Sequence, residues 1–248
     1  MNKTFNIYNH PTLYDDQYWW KKDDIEFYKK HIKSGTHVLD LGSGTGRLAH
    51  PLQRHGAFYN GLEISEQFYL YSTKKYNNIQ GIEFIEGTMV NFNLDKQFHT
   101  IFVAFNSFNH LLDEDDAMRC LNAIKAHLVK GGQCILDIIN PSPMFLCRDK
   151  SKKILTMDFK DSINGELVEI YEKCSYSYRT DICDVEWEYV YQKTSRRNKK
   201  LNYKMKMYYP DTINRMLVDC GYKIDKIYGD YHENLFNEDS GSQIIICN

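Results

Sequence analysis

The stretch Val38-Leu39-Asp40-Leu41-Gly42-Ser43-Gly44-Thr45-Gly46-Arg47-Leu48 constrains this chain more than any other. A short apolar run, a turn with glycine at every second position and residues suited to opening a helix read as strand, tight turn and helix. Glycine lacks a Cβ, so the backbone of such a turn lets a ligand lie directly on it, beside the unpaired N–H groups of a helix start. A second apolar run ends on an acid, in Gly61-Leu62-Glu63-Ile64-Ser65. Together the turn and the acid describe a site for a nucleotide-like cofactor.

The spacing narrows the choice. A dinucleotide turn reads G-x-G-x-x-G, with its third glycine inside the helix. Here the last glycine, Gly46, comes one residue early, and Leu48 and Ala49 follow it. Asp40, two residues before the first glycine, places a carboxylate where an amino-acid ammonium group needs one. The pattern D-L-G-S-G-T-G-R-L followed by Glu63 resembles the class I S-adenosylmethionine-dependent methyltransferases. That resemblance implies that Gly42, Ser43 and Gly44 cradle the methionine part of the cofactor, with Asp40 near its amino group. It also implies that Glu63, with Ile64 beside it, holds the ribose hydroxyls. Arg47 either approaches the methionine carboxylate or is a solvated helix residue. A nicotinamide- or flavin-dependent enzyme using the same first unit remains the rival reading.

At 248 residues with 42% hydrophobic content the chain is long enough for one large α/β domain carrying an insertion. From Thr36 to Ile139 strands and helices alternate, with strands expected near 36–41, 57–62, 82–86, 99–105 and 133–139. Helices are expected near 45–55, 65–76 and 114–129, the last opened by Asp113-Glu114-Asp115-Asp116 and closed by Gly131-Gly132. Such alternation predicts a mainly parallel, Rossmann-like sheet that binds ligands beyond the carboxyl ends of its strands. From about Lys152 to Tyr209 the pattern turns to long alternating runs, with Asn164-Gly165 as a hairpin signal. The expected organisation is a helical cap over 1–34, a core over 35–150 and 210–248, and an inserted antiparallel β lid over 151–209. With a final helix near 212–221 and strands near 222–228 and 243–247, the core reads as a seven-stranded methyltransferase sheet.

Further motifs bear on chemistry. After the third strand, Glu86-Gly87-Thr88-Met89 has threonine where the family usually has an aspartate that accepts the adenine amino group. Thr88 and Met89 are the adenine candidates, the hydroxyl being a weaker acceptor than a carboxylate. After the fourth strand, Phe105-Asn106-Ser107-Phe108-Asn109-His110-Leu111 resembles the acceptor loop of glycine N-methyltransferase and, more loosely, of amino-sugar N-methyltransferases. Phe105 is expected at the cofactor, and Asn106 and His110 at the acceptor. A histidine there has a pKa suited to taking a proton near neutrality; the alternative is a packed ring bonded to a backbone carbonyl. Tyr14 and Tyr18, in the aromatic run Tyr14-Asp15-Asp16-Gln17-Tyr18-Trp19-Trp20, are expected to close over the cofactor and acceptor, or else to staple the cap to the core.

Composition removes other classes. A formal charge of −2 is no nucleic-acid footprint, and the basic run Ser195–Lys200 reads first as a solvated hairpin tip and second as a recruiting patch for RNA or an acidic protein. Seven scattered cysteines with no C-x-x-C pair suggest reduced thiols and no zinc site. No run of about 18 apolar residues and no leader-like N-terminal segment is visible, so a soluble cytoplasmic protein is expected. The function expected is methyl transfer from S-adenosylmethionine to a small molecule, most readily at nitrogen. An oxygen acceptor or a non-catalytic cofactor-binding module are the alternatives, and the sequence leaves oligomeric state open.

Overall fold

A computed structural model describes residues 5–142, 146–194 and 198–248. Two short helices, α1 (Pro11–Gln17) and α2 (Asp23–His31), precede β1 (His37–Leu41), α3 (Ala49–Arg54), β2 (Phe58–Glu63), α4 (Glu66–Tyr76), β3 (Ile82–Glu86) and β4 (Phe98–Val103). Then come α5 (Glu114–His127), β5 (Leu128–Ile139), the four inserted strands β6 (Ile154–Lys160), β7 (Leu167–Ser177), β8 (Ile182–Tyr191) and β9 (Lys199–Lys206), and finally α6 (Pro210–Asp219), β10 (Ile224–Tyr228) and β11 (Ser242–Cys247). The main sheet has the order β3-β2-β1-β4-β5-β11-β10. Neighbours among β1 to β5 are parallel, and β11 runs antiparallel to both β5 and β10. The strand order reverses direction between β1 and β4. A crevice opens beyond the carboxyl ends of the strands at such a point.

Local chemistry explains these elements. Val38, Leu39 and Leu41 on β1 and Ile101, Phe102 and Val103 on β4 are fully buried, the near-continuous apolar runs of strands covered on both faces. On α5, Ala117, Cys120, Leu121 and Ile124 form one buried stripe at helical spacing. The Asp113 carboxylate caps that helix by accepting the Asp115 N–H, and three acids in its first turn complement the helix dipole.

The inserted strands form a separate antiparallel sheet, β6-β7-β8-β9. Alternate residues of β7 and β8 are buried, among them Val168, Ile170, Cys174, Val185, Trp187 and Tyr189, so one face of this sheet is covered. It shares a core with Ile7 and Leu13 from the N-terminal segment. The architecture is therefore a Rossmann-like seven-stranded sheet with an antiparallel insertion between β5 and α6.

The structure departs from the sequence reading at several places. Gly42, Gly44 and Gly46 have φ of 74°, 59° and 75°, so the turn continues past Thr45 and α3 starts only at Ala49. Strand β4 stops at Val103 because Phe105 and Asn106 take positive φ, 49° and 64°. Helix α5 ends at His127, and Gly131-Gly132 falls inside the longer strand β5. Asn164-Gly165 does lie in the turn of the β6–β7 hairpin, where Asp161 organises the connection by accepting the Gly165 N–H on its carbonyl and the Ile163 N–H on its side chain. Cys174 and Cys183 are joined in a disulfide across β7 and β8, contrary to the expectation of thiols without partners; both sit on the buried face, where the antiparallel register brings them together. Of the segments singled out from the sequence, Met1–Thr4 of the cap and Ser195–Arg197 of the basic run lie outside the described residues. Among those described, no helix is long and apolar enough to cross a membrane.

Candidate active site

The glycine turn is tied to the end of β2. Gly42 and Ser43 both donate their N–H to the Leu62 carbonyl, at 2.8 and 3.1 Å. The Glu63 carboxylate then takes one N–H on each oxygen, from Gly44 at 2.7 Å and from Ser65 at 2.8 Å. Burial raises its pKa, and the backbone donors of Ser65, Gly44 and Ile64 oppose that rise. The carboxylate keeps acceptor capacity beyond these bonds. Beside it opens a cavity of ≈ 520 Å³ lined by Gly42, Gly44, Glu63, Ile64, Met89 and Phe105 among others. A Cβ on Gly42 would lie 2.9 Å from Ser107 Cβ and 3.2 Å from Met89 Cε, so glycine is what lets the loop after β4 close on the turn.

Asp40 lies beneath the turn rather than in the cavity wall. It is 3% exposed, and its Oδ2 accepts the Tyr59 hydroxyl at 2.6 Å. Its Oδ1 is buried without a hydrogen-bond partner among the described residues. Burial pushes this carboxyl up to about 7, against the opposing hydrogen bond from Tyr59 and the charge of Arg47. Arg47 is partly buried and does not line this cavity. Its guanidinium grips Asp24 of α2 through two bonds of 2.7 and 2.6 Å and also reaches the Lys21 carbonyl at 3.2 Å. Burial works against its charge, but the Asp24 hydrogen bonds and charge hold its pKa above the ordinary value. Ser43 is buried behind the turn, and Thr88 accepts the Val90 N–H at 3.3 Å; neither lines the cavity, whereas Met89 does.

A second cavity of ≈ 250 Å³ lies between the loop after β4 and the inserted sheet. Tyr8, Tyr14, Phe105 and His110 line both cavities; Tyr18 and Asn106 line only the second. The positive φ of Phe105 and Asn106 turns the chain sharply here, and Asn109 fixes the loop by donating to the Lys206 carbonyl at 2.8 Å and accepting the Ile139 N–H at 3.3 Å. Asn106 Oδ1 is buried without a partner among the described residues. The His110 Nε2 stands 3.4 Å from the Tyr8 hydroxyl, and the ring also bonds the Lys204 backbone. Burial lowers its pKa, and the Lys204 bond only partly restores it. Both sequence readings of this histidine thus meet in one geometry: the ring is bonded to backbone and still opens on the cavity.

The aromatic cap is packed around these walls. Tyr14 lies 4.6 Å from Tyr18 and 4.9 Å from Phe68 between ring centroids, and Tyr18 meets Phe105 edge-on at 5.1 Å. Burial raises the pKa of Tyr14 and Tyr18, so both remain neutral phenols. Helix α1 is pinned through Asp15, which accepts from Thr45 at 2.5 Å, Tyr71 at 3.0 Å and Lys75 at 2.9 Å. Tyr8, Trp187, Tyr203 and Glu172 were not among the residues expected from sequence. Tyr8 precedes the aromatic run, and the other three sit at inward positions of strands whose facing direction the sequence pattern alone does not orient. Among the described residues no three His, Cys, Asp or Glu side chains converge as metal ligands.

The comparisons with known proteins bear on the domain and the fold. Residues 38–132 match the family described as methyltransferase domain. A putative methyltransferase, YqeM of Bacillus subtilis, is 20% identical over 203 residues, covering 78% of this chain and 76% of that protein. The fold is similar to that of an S-adenosylmethionine-dependent methyltransferase from Clostridium acetobutylicum, with a TM-score of 0.80, 17% identity and coverage of 98% and 99% of the two chains. It is also similar to that of CalS10, an amino pentose methyltransferase from Micromonospora echinaspora solved with the cofactor bound, with a TM-score of 0.72, 16% identity and coverage of 100% and 98%. In its methyltransferase-domain match over residues 38–132, its glycine turn and its strand order, the chain is similar to the S-adenosylmethionine-dependent methyltransferases.

Proposed function

We propose that the protein methylates a small-molecule amine, with the cofactor in the larger cavity and the acceptor in the smaller. The observation that carries this reading is the shared wall: Tyr8, Tyr14, Phe105 and His110 border both spaces, so a group in one faces a group in the other. S-adenosylmethionine, when bound, supplies an electrophilic methyl group on a sulfonium. The cavity residues fit it. Gly42 and Gly44 leave their backbone open, Glu63 keeps lone pairs for two ribose hydroxyls, and Met89 offers an apolar surface to the adenine. Asp40, with its unpartnered oxygen under the turn, supplies negative charge towards the cofactor's ammonium group. Ser43 and Thr88 then act by shaping the turn and the loop after β3, and Arg47 by holding α2 against the turn.

Nitrogen rather than oxygen follows from the proton chemistry. An aliphatic hydroxyl needs a strong base, and the histidine in the smaller cavity has a pKa depressed by burial. An amine needs only to lose the proton of its ammonium form, to solvent or to a neutral imidazole. The tyrosine and tryptophan rings around the cavity attract that ammonium form as it arrives. Positioning in a dry pocket contributes roughly 7–11 kcal/mol to such a displacement, well beyond what one base adds. The segments 1–34 and 151–209 act as cap and lid in this scheme, enclosing the acceptor against the core. The resemblance of the Phe105–Leu111 loop to N-methyltransferases and the amino pentose acceptor in CalS10's name support the same acceptor class.

The test is transfer of isotopically labelled methyl from S-adenosylmethionine to a panel of small amines, alcohols and phenols, read by mass spectrometry. N-methylated products, absent without enzyme, are the expected result. Products labelled only on oxygen, or cofactor binding with no labelled product, would overturn the amine reading.

A further inference from the structure

The smaller cavity contains one carboxylate, Glu172, at an inward position of β7 where its neighbours two residues away are Ile170 and Cys174, both buried. It is 9% exposed. A charge on an otherwise apolar sheet face is costly unless each oxygen is bonded. Here Oε2 accepts the indole N–H of Trp187, its cross-strand partner, at 2.8 Å, and Oε1 accepts from Arg148 at 2.7 Å. Apolar side chains would cover this face at less cost. A hydrophobic residue at 172 would leave the Trp187 indole N–H unpaired. One hydrogen bond on each oxygen also leaves the carboxylate with acceptor capacity to spare.

Its place in the cavity is at a distance from the shared wall. The contacts run from His110 to the Tyr203 ring at 6.1 Å, from Tyr203 to Trp187 at 5.2 Å, and from Trp187 to Glu172. Tyr203 and Trp187 therefore form an aromatic floor between the histidine at the methyl-transfer end and the carboxylate at the other.

We propose that Glu172 is a specificity-determining residue that accepts a hydrogen bond from a donor group on the acceptor, a hydroxyl or an ammonium several bonds away from the nitrogen that is methylated. This rests on the smaller cavity being the acceptor site. The floor of Tyr203 and Trp187 takes the carbon skeleton between the two ends. Glu172 selects acceptors that carry a polar far end, and an acceptor lacking it leaves the carboxylate's spare capacity unmet in a dry pocket. A site built around a hydrogen bond discriminates strongly against analogues that lack the donor. The Trp187 indole fixes the carboxylate plane, and Arg148 balances its charge, so that a neutral hydroxyl and a cationic ammonium are both admissible partners.

The test is binding to the complex with S-adenosylhomocysteine, measured by calorimetry, which does not depend on turnover. The probes are n-alkylamines, amino alcohols and α,ω-diamines of matched chain length, against the wild type, Glu172→Gln and Glu172→Leu. The wild type is expected to prefer the amino alcohol or diamine over the alkylamine of its length by roughly 10- to 100-fold. Glu172→Leu abolishes that preference, the alkylamine binding at least as well as in the wild type because no unmet carboxylate remains, while S-adenosylhomocysteine affinity stays within about twofold. Glu172→Gln separates the two donors: its neutral carbonyl oxygen still accepts from a hydroxyl but loses the attraction to an ammonium. Because it is nearly isosteric, it also serves if the leucine variant does not fold. No preference in the wild type, or a preference that survives both substitutions, overturns the proposal. Amines that are methylated without any such preference defeat this inference alone. Preferential binding without methylation of any amine defeats the amine reading alone.

Discussion

The Tyr8 hydroxyl lies 3.4 Å from Nε2 of His110, joining the N-terminal segment to the loop after β4 where the two cavities meet. Burial and the nearby charge of Glu63 push the phenol up to about 12, and burial depresses the imidazole, so both are neutral at physiological pH. Neither group carries charge that would repel an arriving ammonium or the sulfonium.

This pairing predicts a graded loss rather than an abolished enzyme. His110→Ala should lower kcat for an amine by about 10²-fold, the low end of what a general base supplies, because solvent can also take the proton. Tyr8→Phe should cost less. The Kd for S-adenosylhomocysteine should stay within about twofold in both. Steady-state kinetics with calorimetry on the same samples check this, and an unchanged kcat in His110→Ala would mean that the ring only packs.

Asp40 predicts a pH signature. Burial pushes its carboxyl from the ordinary 3.8 up to about 7 in the folded protein. The folded state therefore binds more protons than the unfolded state between these values, and stability of the cofactor-free protein should fall as pH rises from about 4 to about 7, then level off. A cation bound close to the ionised form reverses the benefit: S-adenosylhomocysteine, which keeps the ammonium group, should bind more tightly as pH rises through about 7. Asp40→Asn should flatten both profiles. Affinity measured at several pH values in wild type and variant checks the sign, and a wild-type affinity that does not rise across that range would place Asp40 away from the ammonium.

The ion pair of Arg47 and Asp24 predicts a large stability effect without contact to either ligand. Asp24 is fully buried and each guanidinium end nitrogen bonds one of its oxygens. Asp24→Ala leaves the arginine charge without its partner and should cost about 3–5 kcal/mol. Replacing both residues by apolar ones should recover part of that loss. Denaturant unfolding of the two single variants and the double variant measures it, and additive single effects would show that the pair is not coupled.

Much of this was legible in the sequence because glycine and strand patterns act locally. Gly42, Gly44 and Gly46 announced the turn, Glu63 ended the second strand, and the change to alternating runs after Lys152 announced a second sheet. What the sequence did not show depends on long-range placement. The Arg47 fork looked free for a cofactor carboxylate, but its direction is set by Asp24, 23 residues earlier on a helix whose docking is a tertiary matter. Asp40 is buried beneath the turn and out of the cavity wall, so what it contributes is charge from below the turn and not a surface of the cavity. Tyr8 and Glu172 gain their meaning only when the N-terminal segment and the inserted sheet close on the same cavity. Cys174 and Cys183 are nine positions apart on two strands, and only the hairpin register reveals that they meet.

Titration calorimetry of ligands into the cavity beside the glycine turn is the most direct test. S-adenosylmethionine and S-adenosylhomocysteine should bind at micromolar or lower concentration, and NAD should not bind. Glu63→Ala, which removes the proposed acceptor of the ribose hydroxyls, should weaken the first two by roughly 10- to 100-fold. Absence of binding, a preference for NAD, or an affinity indifferent to Glu63 would contradict the assignment of this turn and of every residue placed around it.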